Sequence, residues 1–232
     1  MTVFAGTSGY SYAEWKGPFY PARLPAGDML RFYAERLPAV EINNTFYRLP
    51  KASMLETWAA QVPGGFRFAV KASRRITHEK RLKDVADETE YLLRTTATLD
   101  SHLGPLLFQL PPNLRKDVDR LARFCDLLPE GTLAAVEFRH PSWFDEDALV
   151  HLRNRNLALC TTDAEGDDAA IVPTAGWGYL RLRRPDYAQA DLERWAQHVS
   201  AQPWSDAYVF FKHEDEGAGP RLAAAFLAAA GC

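Results

Sequence analysis

Eight short runs of consecutive apolar residues recur along this chain, and stretches with helical spacing separate nearly all of them. The runs are residues 3–7 (Val-Phe-Ala-Gly-Thr), Ala39–Asn43, Phe66–Lys71, Leu106–Leu110, the start of Leu133–Phe144, Leu157–Thr161, Tyr179–Leu182 and Tyr208–Phe211. Strands apolar on both faces must be covered on both sides, which implies a parallel sheet between layers of helix. Helical spacing appears at Leu30, Tyr33 and Leu37 before Pro38, and again at Leu55, Trp58, Ala59 and Val62. It returns at Val85, Leu92, Thr96, Leu99 and Leu103, at Val118, Leu121, Cys125 and Leu128, and at Leu149 and Leu152. Leu192, Trp195 and Val199 mark one more helix, and the Ala-rich stretch Leu222–Ala230 has strong helix propensity. Eight such units closing on themselves give an α/β fold, a single-domain (β/α)8 TIM-type barrel over residues 1–232. That length is compact against the roughly 250 residues usual for this architecture. The segment Ala164–Trp177 has no helical period, so an irregular or missing helix is expected after strand six. An open doubly wound sheet is the alternative, but no Gly-x-Gly-x-x-Gly follows strand one.

A formal net charge of −3 gives no overall pull toward nucleic acid or an anionic membrane, although a local basic patch is compatible with it. No apolar run approaches the roughly 18 residues needed to span a bilayer. The first residues, Met-Thr-Val-Phe-Ala-Gly-Thr, lack the pattern of a signal peptide. Cys125, Cys160 and Cys232 show neither paired nor metal-like spacing. The expectation is a cytoplasmic protein without a membrane partner.

In such a barrel, function lies at the C-terminal ends of the strands. Strand two ends in Glu41 and Asn43, of one parity, with Tyr47 just after them; strand three ends in Lys71, followed by Arg74, Arg75 and His78. Strand four ends in Gln109. Strand five gives Glu137 and Arg139, again of one parity, and then His140 and Trp143. Strand six leads to Asp163, strand seven carries Arg181 and Arg183, and strand eight ends in Lys212 and His213. Charges pointing into a barrel cost several kcal/mol unless paired, so these residues form a network or face a wet pocket. The bland readings are specific. Glu137 and Arg139 could simply neutralise each other, Trp143 and Trp15 could be loop-packing aromatics, and Glu165, Asp167 and Asp168 could be a solvated run.

Several segments taken together resemble one family. They are Gly6-Thr7-Ser8-Gly9-Tyr10-Ser11-Tyr12, Trp15 with Gly17-Pro18-Phe19-Tyr20-Pro21, and Val40-Glu41-Ile42-Asn43-Asn44-Thr45-Phe46-Tyr47. Phe68–Ala72 with Ile76-Thr77-His78, Phe108–Pro112, and Val136-Glu137-Phe138-Arg139-His140-Pro141-Ser142-Trp143 complete the set. In this order they resemble the YecE-like family, a domain of unknown function (number 72). The resemblance spans nearly the whole chain and implies a TIM-barrel-type fold; it brings no catalytic mechanism with it. Asn44 stands where a Ser is frequent, and Lys212-His213-Glu214-Asp215 replaces an Asn-rich ending, which suggests a subgroup.

Three functions are compatible with these strand ends. The first is an enzyme on a polar or anionic small molecule: a phosphate, carboxylate or sugar. Asn43, Tyr47, Lys71, Gln109, Arg139, Trp143, Arg181 and Lys212 would bind it, and Glu41, Glu137, Asp163 and His140 would do acid/base work. Two carboxylates flanking a sugar bond are a special case that the surrounding cations weaken. The second is a divalent-metal enzyme using Glu41, Glu137, Asp163 and His140, although no metal-binding spacing is present. The third is a nucleic-acid-binding or phosphodiester-processing protein, with Arg48, Lys71, Arg74 and Arg75 beside Tyr10, Tyr12, Trp15, Phe46 and Tyr47. The first is preferred. A hydrolase, lyase or isomerase would suit it; substrate, cofactor and oligomeric state stay open.

Overall fold

The computed structural model describes residues 1–163 and 169–231. Its eight strands are β1 (Thr2–Ser8), β2 (Ala39–Ile42), β3 (Arg67–Lys71), β4 (Leu103–Gln109), β5 (Ala134–Glu137), β6 (Ala158–Thr162), β7 (Gly178–Leu182) and β8 (Asp206–Phe211). They close in sequence order into one barrel, and every adjacent pair is parallel. Closure is made by β1 against β8, in register from Thr2 opposite Asp206 to Thr7 opposite Phe211.

Seven α-helices are found among the described residues: α1 (Met29–Ala34), α2 (Ala52–Ala59), α3 (Ala86–Thr96), α4 (Val118–Cys125), α5 (Glu146–Asn154), α6 (Gln189–Ser200) and α7 (Ala218–Ala229). Asp117 caps α4 by accepting the Arg120 amide at 3.0 Å, and Asp145 does the same for α5 with the Ala148 amide. No helix occurs between β6 and β7 among the described residues, as the missing period implies. Glu165, Asp167 and Asp168, together with Cys232, lie outside the described residues.

One helix is shorter than its spacing suggests. The run from Val85 to Leu103 is α-helical only to Thr96, after which a tighter 3-10 turn carries Asp100 at φ 50°. Leu103 then opens β4, because the apolar side chains from Leu99 onward serve the strand entry and not a helix face.

The apolar residues divide into two layers by parity. Ala39, Ala69, Leu107, Ala135, Ala158, Cys160, Tyr179, Tyr208 and Phe210 fill the barrel interior, while Val40, Phe68, Val70, Phe108 and Val136 face the helices. Small side chains on β2, β3, β5 and β6 leave room for the rings from β7 and β8. Gly6 is required by a close approach: a Cβ there would lie 1.8 Å from the Ala39 carbonyl oxygen. The Tyr33 hydroxyl fills the gap between β1 and β2, accepting from the Thr7 amide and donating to the Ala39 carbonyl, both at 2.9 Å.

Candidate functional site

Above the apolar interior, the inward positions turn polar at the C-terminal end. Register puts Ser8 beside Glu41 and Gln109 beside Glu137. The Ser8 hydroxyl donates to Glu41 Oε1 at 2.7 Å, and Gln109 Nε2 donates to Glu137 Oε1 at 2.8 Å. Glu41 also accepts from Tyr179 Oη at 2.7 Å and from Asn43 Nδ2 at 2.8 Å.

Arg181, from β7, joins the two carboxylates. Its Nη1 donates to Glu137 Oε2 at 2.7 Å and its Nη2 to Glu41 Oε1 at 3.0 Å. Arg139 Nε adds a bond to Glu137 Oε1 at 2.9 Å. Both carboxylates are fully buried, and Arg181 is only 2% exposed. Burial alone pushes Glu137 up, but Arg181 and then Arg139 overcome it and bring its pKa down to about 2. Glu41 is likewise lowered: burial opposes ionisation, and Arg181, Ser8 and Tyr179 outweigh it. Arg181 is raised well above its ordinary value, because Glu41 and Glu137 more than offset its burial. Both carboxylates are therefore held ionised as counter-charges of one guanidinium. That guanidinium occupies the space between them, so they cannot flank a sugar bond as an acid/base pair.

Over this layer opens a cavity of about 530 Å³. Tyr12, Asn43, Phe46, Tyr47 and Gln109 line it, with the cations Lys71, Arg74, Arg139, Arg181, Arg183 and Lys212, His78, and one carboxylate, Glu214. Three of the cations are already paired: Arg181 with both glutamates, Arg139 with Glu137, and Arg74 with Glu79 at 3.1 Å. Lys71, Arg183 and Lys212 have no carboxylate within ion-pair distance among the described residues. Lys71 Nζ donates to Gln109 Oε1 at 3.0 Å and lies 4.4 Å above the centre of the Phe46 ring. Burial, then Arg181, brings its pKa down to about 8 against the opposing pull of Glu41 and Glu137.

The structure brings together Glu41, Asn43, Tyr47, Lys71, Gln109, Glu137, Arg139, Arg181 and Lys212 in or directly beneath this mouth. Three residues expected there serve elsewhere. Asp163 is 1% exposed and fixes the loop after β7, accepting from the Arg183 amide at 2.6 Å and from the Tyr187 hydroxyl. His140 caps a short 3-10 turn, its Nδ1 accepting from the Ser142 amide at 3.1 Å. Trp143 is fully buried; it stacks on Phe138 with centroids 4.8 Å apart and donates its indole N–H to the Leu114 carbonyl at 2.7 Å. It is a packing residue, not a ligand platform, because the turn after β5 folds its ring away from the mouth. The four candidate metal ligands consequently do not meet, and no three His, Cys, Asp or Glu side chains converge for an ion among the described residues. Of the residues weighed for a single-strand groove, Tyr12, Phe46, Tyr47, Lys71 and Arg74 line the mouth, and Trp15 and Arg75 do not. Trp15 is buried, and Arg75 is paired with Glu88 at 2.8 Å.

Ser8, Tyr179 and Glu214 belong to the site although strand-end reasoning did not single them out, while Arg74, His78 and Arg183 were strand-end residues without an assigned role and Tyr12 and Phe46 were weighed only for a nucleic-acid groove. Their signal was positional. Ser8 has the inward parity of Gly6, and Tyr179 and Arg183 share that of Arg181. Arg74 and His78 reach the cavity because residues Arg75–Glu79 form a π-helical turn after β3, a rare geometry that recurs at functional sites.

Among the described residues, no helix is long and apolar enough to cross a membrane. A family model described as "Protein of unknown function DUF72" matches residues 4–232. The UPF0759 protein YunF of Bacillus subtilis is 25% identical over 256 residues, covering 93% of this chain and 90% of that protein. The UPF0759 protein YecE of Escherichia coli is 30% identical over 156 residues, 67% of this chain; the match spans about half of YecE, 55% of its length. A crystal structure of a DUF72 family protein from Thermotoga maritima superposes with a TM-score of 0.81 at 25% identity, covering 96% of this chain and 97% of that one.

Proposed function

We propose, from the premise that this chain belongs to the DUF72 family, that the mouth of its barrel is the active site of an enzyme acting on a small anionic molecule. One observation carries this reading. Lys71, Arg183 and Lys212 face one cavity of about 530 Å³ without carboxylate partners among the described residues, in a chain whose net charge is −3. Cations gathered without counter-charges in a concave site repel one another unless an anion joins them, and phosphate or carboxylate oxygens suit them.

Division of labour follows from charge and burial. Glu41 and Glu137 hold Arg181 in place and stay ionised, so they are positioning residues in this proposal. Arg181, Arg183, Lys212 and the half-buried Arg139 would bind the anion, with Asn43 and Gln109 orienting its polar groups. Lys71 has the lowered pKa suited to moving a proton near neutral pH. A hydrolase, lyase or isomerase would use such a group. The cytoplasm is the compartment we assign with this reading, since Cys125 and Cys160 are buried and unpaired.

The test is binding of inorganic phosphate and pyrophosphate at low salt, followed by thermal shift and calorimetry. At about 100 times its dissociation constant an anion that binds the folded state adds roughly 2.7 kcal/mol. The double variant Arg183→Ala/Lys212→Ala should weaken that binding at least tenfold, about 1.4 kcal/mol. Equal affinity in wild type and variant would place the anion elsewhere and sink the reading.

A further inference from the structure

Lys71 differs from the other lysines in what surrounds it. Lys80 is paired with Glu88 and Lys116 with Asp145, while Lys16, Lys51, Lys83 and Lys212 are exposed. Lys71 is half-buried, and its direct partners are neutral: the Gln109 amide oxygen at 3.0 Å and the face of Phe46. Gln109 turns its other end to Glu137 at 2.8 Å, so that carboxylate reaches Lys71 only through an uncharged amide. Arg181 and Arg139 add positive potential. An amine in a partly desolvated pocket beside fixed cations is the setting that generates a neutral, nucleophilic lysine. With its pKa brought to about 8, about a tenth of the amine is uncharged at pH 7.

A second group completes the chemistry. His78 lines the same cavity, its ring perpendicular to that of Phe46 with centroids 4.9 Å apart. Its pKa is lowered by burial first and by Lys71 next, which keeps the ring neutral. His78 Nδ1 lies 2.9 Å from the Thr77 hydroxyl, which is also 3.4 Å from the Ser73 carbonyl. In the tautomer that donates Nδ1–H to this hydroxyl, Nε2 is left as a free base.

From this geometry we infer that Lys71 captures the carbonyl carbon of a small anionic aldehyde or ketone as an imine, with His78 as its proton carrier. This inference rests on the anionic-substrate reading above and names the substrate class. Nζ attacks the carbonyl carbon, a C–N bond forms, the carbonyl π electrons move to oxygen, and His78 Nε2 relays the first of the two nitrogen protons to that oxygen, giving a hydroxyl. His78 Nε2 then takes the second proton from nitrogen and returns it to the hydroxyl, which leaves as water. The balance is one amine and one carbonyl giving one imine and one water, with no oxidant or reductant. Arg183 and Lys212 would hold the anionic end of the substrate.

The experiment uses the whole chain with glycolaldehyde phosphate, and with unphosphorylated glycolaldehyde, each reduced by borohydride near pH 7.5 and mapped by peptide mass. Inorganic phosphate binding is measured in parallel. Expected is reduction of the phosphorylated aldehyde onto Lys71 at least tenfold above the other six lysines. Lys71→Arg should abolish the adduct while phosphate still stabilises the protein. His78→Gln should slow trapping at least tenfold without changing the site of attachment. Phosphate binding with Lys71 labelled no more than the surface lysines overturns the imine and leaves the anion reading standing. Selective labelling by both aldehydes without any phosphate binding supports the imine and overturns the anionic substrate. Neither binding nor selective labelling overturns both.

Discussion

Arg181 and Glu41 meet on two atoms across the barrel: Nη2 donates to Oε1 at 3.0 Å, and Nε lies 2.9 Å from Oε2 at an angle too oblique for a hydrogen bond. Nη1 of the same guanidinium reaches Glu137 at 2.7 Å, so one buried cation serves two buried carboxylates. Arg181→Met leaves both without their main counter-charge and should cost about 3–5 kcal/mol by urea denaturation at pH 7. Adding Glu41→Gln and Glu137→Gln to that variant should recover at least half of the loss, since the stranded charges are gone. A loss below about 1 kcal/mol for Arg181→Met alone would show that water already solvates the carboxylates.

The same cluster sets the response to acid. Glu137 is held at about 2 against an ordinary 4.5, and Glu41 is shifted in the same direction. A carboxylate lowered in the folded state contributes stability that is complete above its unfolded pKa and is lost as pH falls through the folded one. Stability should therefore be level above about pH 5 and fall steeply between pH 4.5 and 2. Glu137→Gln should flatten that fall. An unchanged slope would mean that other carboxylates dominate acid unfolding.

Lys71 has the opposite dependence. Its pKa falls from 10.5 to about 8 on folding, so between those values the unfolded chain binds more protons and stability rises with pH. Below pH 8 the ammonium is a cost to the fold. Lys71→Met should thus stabilise the protein at pH 7 by about 1 kcal/mol after allowance for solvent screening. The gain should shrink as pH approaches 10.5, and a constant gain at all pH values would assign it to packing.

Much of this was legible in the residues. Runs apolar at both parities dictate a covered parallel sheet, and the pairing of Glu41 with Asn43, or Glu137 with Arg139, follows from alternation alone. The hub was not legible, because it depends on β2, β5 and β7 presenting Glu41, Glu137 and Arg181 at one height, which only barrel closure fixes. Asp163 was misplaced by parity. Ala158 and Cys160 point inward on β6, so Asp163 has the outward parity and secures the next loop instead. His78 was ambiguous because an ordinary helical turn and a π-helical turn carry the same residues to different places.

Trp143 and Tyr47 give the sharpest contrast between resemblance to a binding residue and position in the fold. Both are aromatics a few residues beyond a strand end, yet Trp143 is fully buried and Tyr47 is 74% exposed at the rim of the cavity. Trp143→Ala removes a ring stacked on Phe138 and should destabilise the fold by about 3–5 kcal/mol. Phosphate affinity of its folded fraction should stay within about twofold, because the ring does not line the mouth. Tyr47→Ala should change stability by less than about 0.5 kcal/mol, as exposed positions do. It should weaken binding of any ligand that fills the cavity to its rim. Denaturation curves and calorimetry on the two variants decide the matter: a Trp143 variant that folds normally but no longer binds would put this residue back in the site.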